Sequence, residues 1–337
     1  MTVWSAPEGP SGRGENPATR ALVVAAGIAA AGFIGVFYLY PLANILWRGR
    51  SWNTIVDVLS EPTTWKIIWF TSWQAALSTV ATVAIGLPIA HAIARYRFPG
   101  RAVLRAFVTV PFVLPTVVVA TAFLSLSNRL GLDSGPFAVP GSVWAIILAH
   151  AFFNIAVVVR SVGGYWAQLD DLPESAARTL GAGRVRTFVL VTAPRLGPAL
   201  LSSSAIAFLF SFTSFGVILI LGGLRRATLE TEIWRYATQR IDFDTAATLG
   251  LIQLVIVLAM LVVNSVMQNR IALTERTRPP AEVERRPSTA GEWASLAGSI
   301  SLAILVIGVP IFVLVEQSLS TGSGYSFDYY RALGSQD

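Results

Sequence analysis

Residues 206–223 read IAFLFSFTSFGVILILGG, without a charge and apolar on successive rather than alternate positions. A transmembrane β-strand would alternate over about ten residues, so the stretch reads as helix. Working outward, uncharged runs of comparable length recur at 21–47, 67–94, 106–128, 134–159, 196–224, 245–269 and 293–315. About 20 helical residues cross the hydrocarbon of a bilayer, so each run is long enough. The expected fold is all-α, a polytopic membrane helix bundle with seven crossings.

Composition supports this reading. Of 337 residues, 54% are hydrophobic and 13% charged, with mean hydropathy +0.61, which excludes disorder and an ordinary soluble domain. There is no cysteine, which excludes disulfides, thiolate metal sites and thiol nucleophiles. The first run begins too far into the chain and is too long for a cleaved signal, so it is expected to be retained. All basic residues except Lys66 are arginine; fifteen fall on the side of the N-terminus and nine on the other, placing the N-terminus in the cytoplasm. The net charge of +6 is therefore a topology signal and not a nucleic-acid surface. Arg160, at the edge of the fourth run, is expected to snorkel to the inner surface.

Nothing points to covalent or metal chemistry. His91 and His150 lie in no ligand-spaced group, paired intramembrane carboxylates are missing, and no phosphate-cradling loop precedes a Lys and Ser/Thr. No catalytic residue, metal or directly bound cofactor is expected. His91 is expected at the cytoplasmic interface. His150 and Asn154, four residues apart, share a helix face and either line a polar pathway or bond a neighbouring helix, the second being favoured. Ser211, Thr213 and Ser214, followed by Gly216, suit a polar constriction or a close helix contact equally. Pro88, Pro111 and Pro115 are expected to bend their helices, for packing or to shape a route. The outer stretches 48–66 and 225–244, with Trp52, Trp65, Glu230, Glu232 and Trp234, fit either partner docking or an interfacial cover.

The segment between the fourth and fifth runs, LDDLPESAARTLGAGRVRTFVLVTAPRLGPAL at 169–200, is not a plain tether. Pro173 suits a helix start and Gly181 a stop, giving a short helix over 174–180 with small Ala176 and Ala177 on its surface. A second short helix over 185–191 leads through Pro194 into the fifth run, so a rigid cytoplasmic knob is expected.

This segment resembles the cytoplasmic motif of inner-membrane permease subunits of ATP-binding-cassette importers: EAA, three residues, Gly, nine residues, Ile, any residue, Leu-Pro. Ser175, Ala176 and Ala177 fall on EAA, Gly181 on the glycine, Val191 on the isoleucine, and Ala193 and Pro194 on Leu-Pro. Ser175 replaces the glutamate, with Glu174 adjacent, and Ala193 replaces leucine. The resemblance implies a five-helix permease core at 65–269 with flanking helices, and a coupling segment at 169–195 that enters a cleft on a separate ATP-binding subunit. Ala176, Ala177, Gly181 and Pro194 would carry the coupling, with Glu174 and Arg178 as accessory contacts. ATP would be used by that partner.

VPFVLPTVVVATAF at 110–123, SFTSFGVILILGG at 211–223 and TLETEIWR at 228–235 are similar to the iron, thiamine and sulfate group of these permeases. The resemblance implies import of a small solute such as ferric iron, thiamine or an oxyanion, delivered by an external or periplasmic binding protein, across a bacterial inner or plasma membrane. A second permease half or second copy would complete the path. Around the core, the layout reads as a cytoplasmic tail at 1–20, a first helix with external segment at 21–64, a cytoplasmic linker at 270–292, and a seventh helix with external tail at 293–337. The last piece echoes 37–65 and suggests the start of a duplicated second half. The competing expectations are a non-transporting assembly or sensing protein, a truncated inactive permease, and an ion-coupled carrier or channel.

Overall fold

The computed structural model describes residues 17–132, 138–223, 226–271, 284–321 and 324–333. The regular secondary structure of the described residues is helical apart from one small hairpin, Ser320–Thr321 against Gly324–Tyr325, and an isolated bridge between Tyr96 and Arg285. The helices are α1 (Arg20–Gly49), α2 (Trp52–Ser60), α3 (Pro62–Arg95), α4 (Arg101–Val113), α5 (Thr116–Arg129) and α6 (Val143–Trp166), then α7 (Leu172–Thr179), α8 (Arg184–Phe212), α9 (Leu229–Thr238), α10 (Phe243–Ile271), α11 (Ala290–Leu319) and α12 (Asp328–Leu333). Six are long and apolar enough to cross a membrane, and the bent pair α4–α5 makes up to a seventh crossing. The fold is the all-α membrane bundle expected.

At its centre α3 packs along α6, with α8 against both. Lipid competes with apolar side chains, so membrane helices associate best where small residues let backbones close in. Ala75 and Ala90 of α3 and Ala149 and Ala151 of α6 are fully buried. Gly86 marks the closest approach, because a Cβ there would stand 2.9 Å from Val158 Cγ1. Along the same side of α3 runs a buried polar stripe of Thr71, Gln74, Ser78 and Thr82. α10 lies outside α8 and holds the C-terminal part of α1, where Gly49 meets the Ala247 carbonyl. α11 packs on α3 and α5.

The structure corrects several boundaries. The third run is not one straight helix: α4 and α5 meet at 102°. Pro115 has no N–H and forces the preceding residue into extended backbone, and Leu114 has φ −72 and ψ 140. The pair still reaches from end to end, since Arg101 pairs with Glu284, just before α11, and Arg129 with Glu316, near that helix's far end. The fifth run is also interrupted. α8 starts at Arg184, making one helix of the expected second short helix and the fifth crossing, and it stops at Phe212; Thr213 to Phe215 are non-helical before a π-helical turn, Ile218–Gly222. In the fourth run α6 continues to Trp166, so Arg160 lies inside the helix and not at its end.

The linker expected at 270–292 is partly structured. Arg285 N–H donates to the Arg95 carbonyl at 3.1 Å and Arg97 N–H to the Arg285 carbonyl at 3.0 Å, docking this stretch on the α3–α4 turn. α11 then starts with a capping box between Thr289 and Glu292. The tail at 1–16 and the linker at 272–283 lie outside the described residues.

Candidate functional site

The knob is built by its ends. Pro173 sits in the first turn of α7. At the other end Gly181 N–H donates to the Arg178 carbonyl at 2.9 Å and Ala182 N–H to the Ala177 carbonyl at 3.0 Å. This close needs a left-handed residue, and Gly181 has φ +86.

Glu174 does not face outward. Its Oε1 accepts from Arg95 Nη2 at 3.2 Å and from the Thr192 hydroxyl at 3.0 Å, while Arg178 lies 3.7 Å from Oε2. Arg95 also donates to the Leu169 carbonyl at 3.1 Å, and Arg195 to the Asp170 carbonyl at 2.8 Å. One carboxylate thus joins α7 to the ends of α3 and α8. Ser175, Ala176, Arg178, Gly181 and Pro194 are exposed, whereas Ala177 and Val191 are half-buried. Pro194 lies within α8, where a π-helical turn at Phe188–Thr192 precedes it. Sequence reasoning missed the outward apolar residues Leu172, Leu180 and Val185, exposed by 57%, 88% and 78%. Their spacing around the glycine turn was the available signal.

The second group surrounds a cavity of about 450 Å³ between the α4–α5 break, α6 and the break after α8. His150, Asn154, Thr213 and Ser214 border it. His150 Nδ1 lies 3.2 Å from Ser78 Oγ, and Asn154 Nδ2 donates to Ser211 Oγ at 3.2 Å. His150 and Asn154 thus bond neighbouring helices and border the cavity. Ser211 is behind the wall, where its carbonyl accepts from Gln74 Nε2 at 3.1 Å. Gly216 fits beside Thr116, since a Cβ would come within 2.6 Å of Thr116 Oγ1. The partners Gln74 and Ser78 were missed, although polar residues at helical spacing inside an apolar run were visible.

A third recess, about 480 Å³, opens between the end of α3, α7 and the starts of α8 and α11. His91 lies in it, its ring 5.4 Å from that of Tyr96 and 5.0 Å from that of Trp166. It is packed among aromatics, beside Arg178 and Glu292. Helix α9 is anchored to the bundle: Glu230 accepts from Gln253 of α10 at 2.6 Å, and the Trp234 ring packs 5.7 Å from that of Phe215. Among the described residues no cluster of three metal-ligating side chains occurs.

Residues 82–276, which contain the knob and most of the cavity wall, match the family described as binding-protein-dependent transport system inner membrane component, and the chain belongs to that family. It is 32% identical over 248 residues to the sulfate transport system permease protein CysT of Salmonella typhimurium, covering 71% of this chain and 89% of the relative. The molybdenum transport system permease protein ModB of Mycobacterium bovis is 34% identical over 236 residues, covering 68% of this chain and 88% of the relative. The thiamine transport system permease protein ThiP of Brucella abortus is 28% identical over 273 residues, 76% of this chain but 49% of the relative. In fold, the chain is similar to a bacterial ABC transporter involved in import of the acidic polysaccharide alginate, with TM-score 0.58 and 18% identity over 76% of this chain and 98% of that one. The chain is thus a transmembrane permease of an ABC importer and a multi-pass inner-membrane transport component.

Proposed function

We propose that the chain imports a small solute, of the ferric iron, thiamine or oxyanion classes, handed over by an external binding protein, with α7 receiving the motion of a separate ATP-binding subunit. The observation that carries this reading is the outward apolar surface of Leu172, Leu180 and Val185 around a helix whose Glu174 is tied inward to α3 and α8. An uncovered apolar surface on a rigid element suits insertion into a partner's cleft. Ser175, Ala176 and Ala177 let that partner approach closely, Gly181 sets the turn, Arg178 adds a peripheral charge, and Val191 and Pro194 shape the start of α8. The N-terminus lies in the cytoplasm, as arginine placement favours. A second core, from another chain or a second copy, supplies the opposite wall of the path along His150, Asn154, Thr213 and Ser214, with Ser211 bracing it.

The test is ATP-dependent uptake. Vesicles holding the complete transporter and its binding protein should accumulate the solute against a gradient only with ATP. Substituting Leu180→Asp in this chain should abolish accumulation while leaving the chain inserted. Flux that continues without ATP would instead favour a channel or ion-coupled carrier.

A further inference from the structure

The recess beside the knob is apolar along its floor and basic at its mouth. The floor is the stripe Val83, Ala84, Leu87 and Pro88 of α3, faced by Phe188 of α8. From Val83 to His91 it runs about 12 Å at the helical rise. At His91 the lining turns aromatic, with Tyr96 and Trp166. Past these stand the arginines: Arg285 lies 5.8 Å from the Tyr96 ring, and Arg184 opens α8 one turn before Phe188, whose ring is 6.1 Å from that of Trp166. Trp and Tyr favour the headgroup level of a bilayer, so the recess repeats the order of a phospholipid, from acyl chain through interface to headgroup.

Two groups in it lack a partner. Trp166 is 3% exposed, and its Nε1–H, which can only donate, has no acceptor among the described residues. A buried donor left unpaired is costly. Arg184 leans on the start of α11, where Gly291 leaves it room: a Cβ there would stand 2.8 Å from Arg184 Nη1. It has no ion pair among the described residues. The two carboxylates of the lining are already taken. Glu174 serves Arg95 and Thr192, and Glu292 accepts from Arg285 Nη2 at 2.6 Å and from the Ser288 N–H at 2.8 Å.

We infer that the recess is the seat of one anionic phospholipid. Its phosphate meets Arg184, an ester oxygen accepts from Trp166 Nε1–H, and an acyl chain lies along the α3 floor between α8 and α11. Basic pockets between membrane helices on the cytoplasmic side suit such headgroups. A soluble phosphate compound would fill the mouth and leave the apolar floor uncovered. The site rests on the proposed function only for its leaflet, which follows from the cytoplasmic placement of α7.

To test it, the complete transporter is purified in detergent, stripped of lipid and titrated with dioleoyl-phosphatidylglycerol or dioleoyl-phosphatidylcholine, and the lipid retained on this chain is counted by native mass spectrometry. One phosphatidylglycerol should be retained in preference to phosphatidylcholine. Arg184→Gln should weaken its retention about fivefold, the effect of one basic residue near an anionic surface, and Arg184→Lys should recover it. Trp166→Phe, which keeps a ring but removes the donor, should weaken it too. Arg186→Gln, outside the lining, should not. Equal retention of the two lipids, retention indifferent to Arg184→Gln and Trp166→Phe, or the same loss with Arg186→Gln would overturn the site. Displacement by glycerophosphate alone would overturn the lipid assignment in favour of a soluble phosphate. ATP-dependent uptake in vesicles separates the two claims: uptake without a phosphatidylglycerol preference sinks only the lipid site, whereas the preference without uptake supports the site and sinks the importer reading.

Discussion

Glu174 Oε1 lies 3.2 Å from Arg95 Nη2, and with side chains only 12% and 8% exposed the pair ties the knob to the C-terminal end of α3 with little contact with water. A push on α7 therefore acts on the central helix of the bundle as well as on α8, which Glu174 holds through Thr192. Replacing Glu174 with Gln leaves Arg95 without its counter-charge. Removing one partner of such a pair costs about 3 kcal/mol. The expected outcome is a lower unfolding midpoint in detergent together with weaker substrate-stimulated ATP hydrolysis by the assembled transporter; an unchanged midpoint would deny the tie.

At Gly181 the left-handed backbone sets the turn. Gly181→Ala should cost roughly 1–2 kcal/mol because a Cβ crowds the carbonyl there. Gly181→Asp adds a charge on the docking surface, and transport and stimulated ATP hydrolysis should fall together. Both are measured in vesicles, and wild-type rates in a correctly inserted Gly181→Asp variant would reject the docking role.

Gly86 tests the core. Its missing Cβ lets α3 approach Val158 of α6. Gly86→Val should overpack this crossing by about 1–3 kcal/mol, and adding Val158→Ala should recover part of the loss. Thermal unfolding in detergent measures both variants, and a stability unaffected by Gly86→Val would mean that the helices are not so close.

Glu284 gives a pH dependence. Arg101, donating at 2.7 Å, holds its carboxyl below the ordinary 4.5 of a glutamate. A depressed carboxylate contributes stability above its unfolded value, and the contribution is lost as pH falls through the folded value. Hydrogen-exchange protection of residues 284–289, taken relative to the unstructured rate at each pH, should therefore be high at neutral pH and fall only on acidification below that ordinary value. Arg101→Gln should raise the exchange already at neutral pH. Protection lost on raising the pH would contradict the assignment.

Much of this was legible in the sequence, because both signals are local. An uncharged run of membrane-spanning length needs no knowledge of its neighbours, and the spacing from Ser175 through Gly181 to Pro194 lies within one segment. The breaks were harder to place. Hydropathy is the same on both sides of Leu114 and Pro115, and Thr213 to Phe215 differ little from the apolar residues around them, so each run reads as one helix. Partners distant in sequence left no trace: nothing near Glu174 announces Arg95, and nothing near His150 announces Ser78. The capping box at Thr289 and Glu292 was readable but lay inside a stretch whose charges and prolines resembled a free linker.

The most direct test of the coupling knob uses one thiol, Ser175→Cys, in this otherwise cysteine-free chain. A membrane-impermeant maleimide should leave it unlabelled in intact cells, label it in inside-out vesicles, and label it far more slowly once the ATP-binding subunit is bound. Labelling in intact cells would put the knob on the outer face, where no ATP-driven partner can reach it.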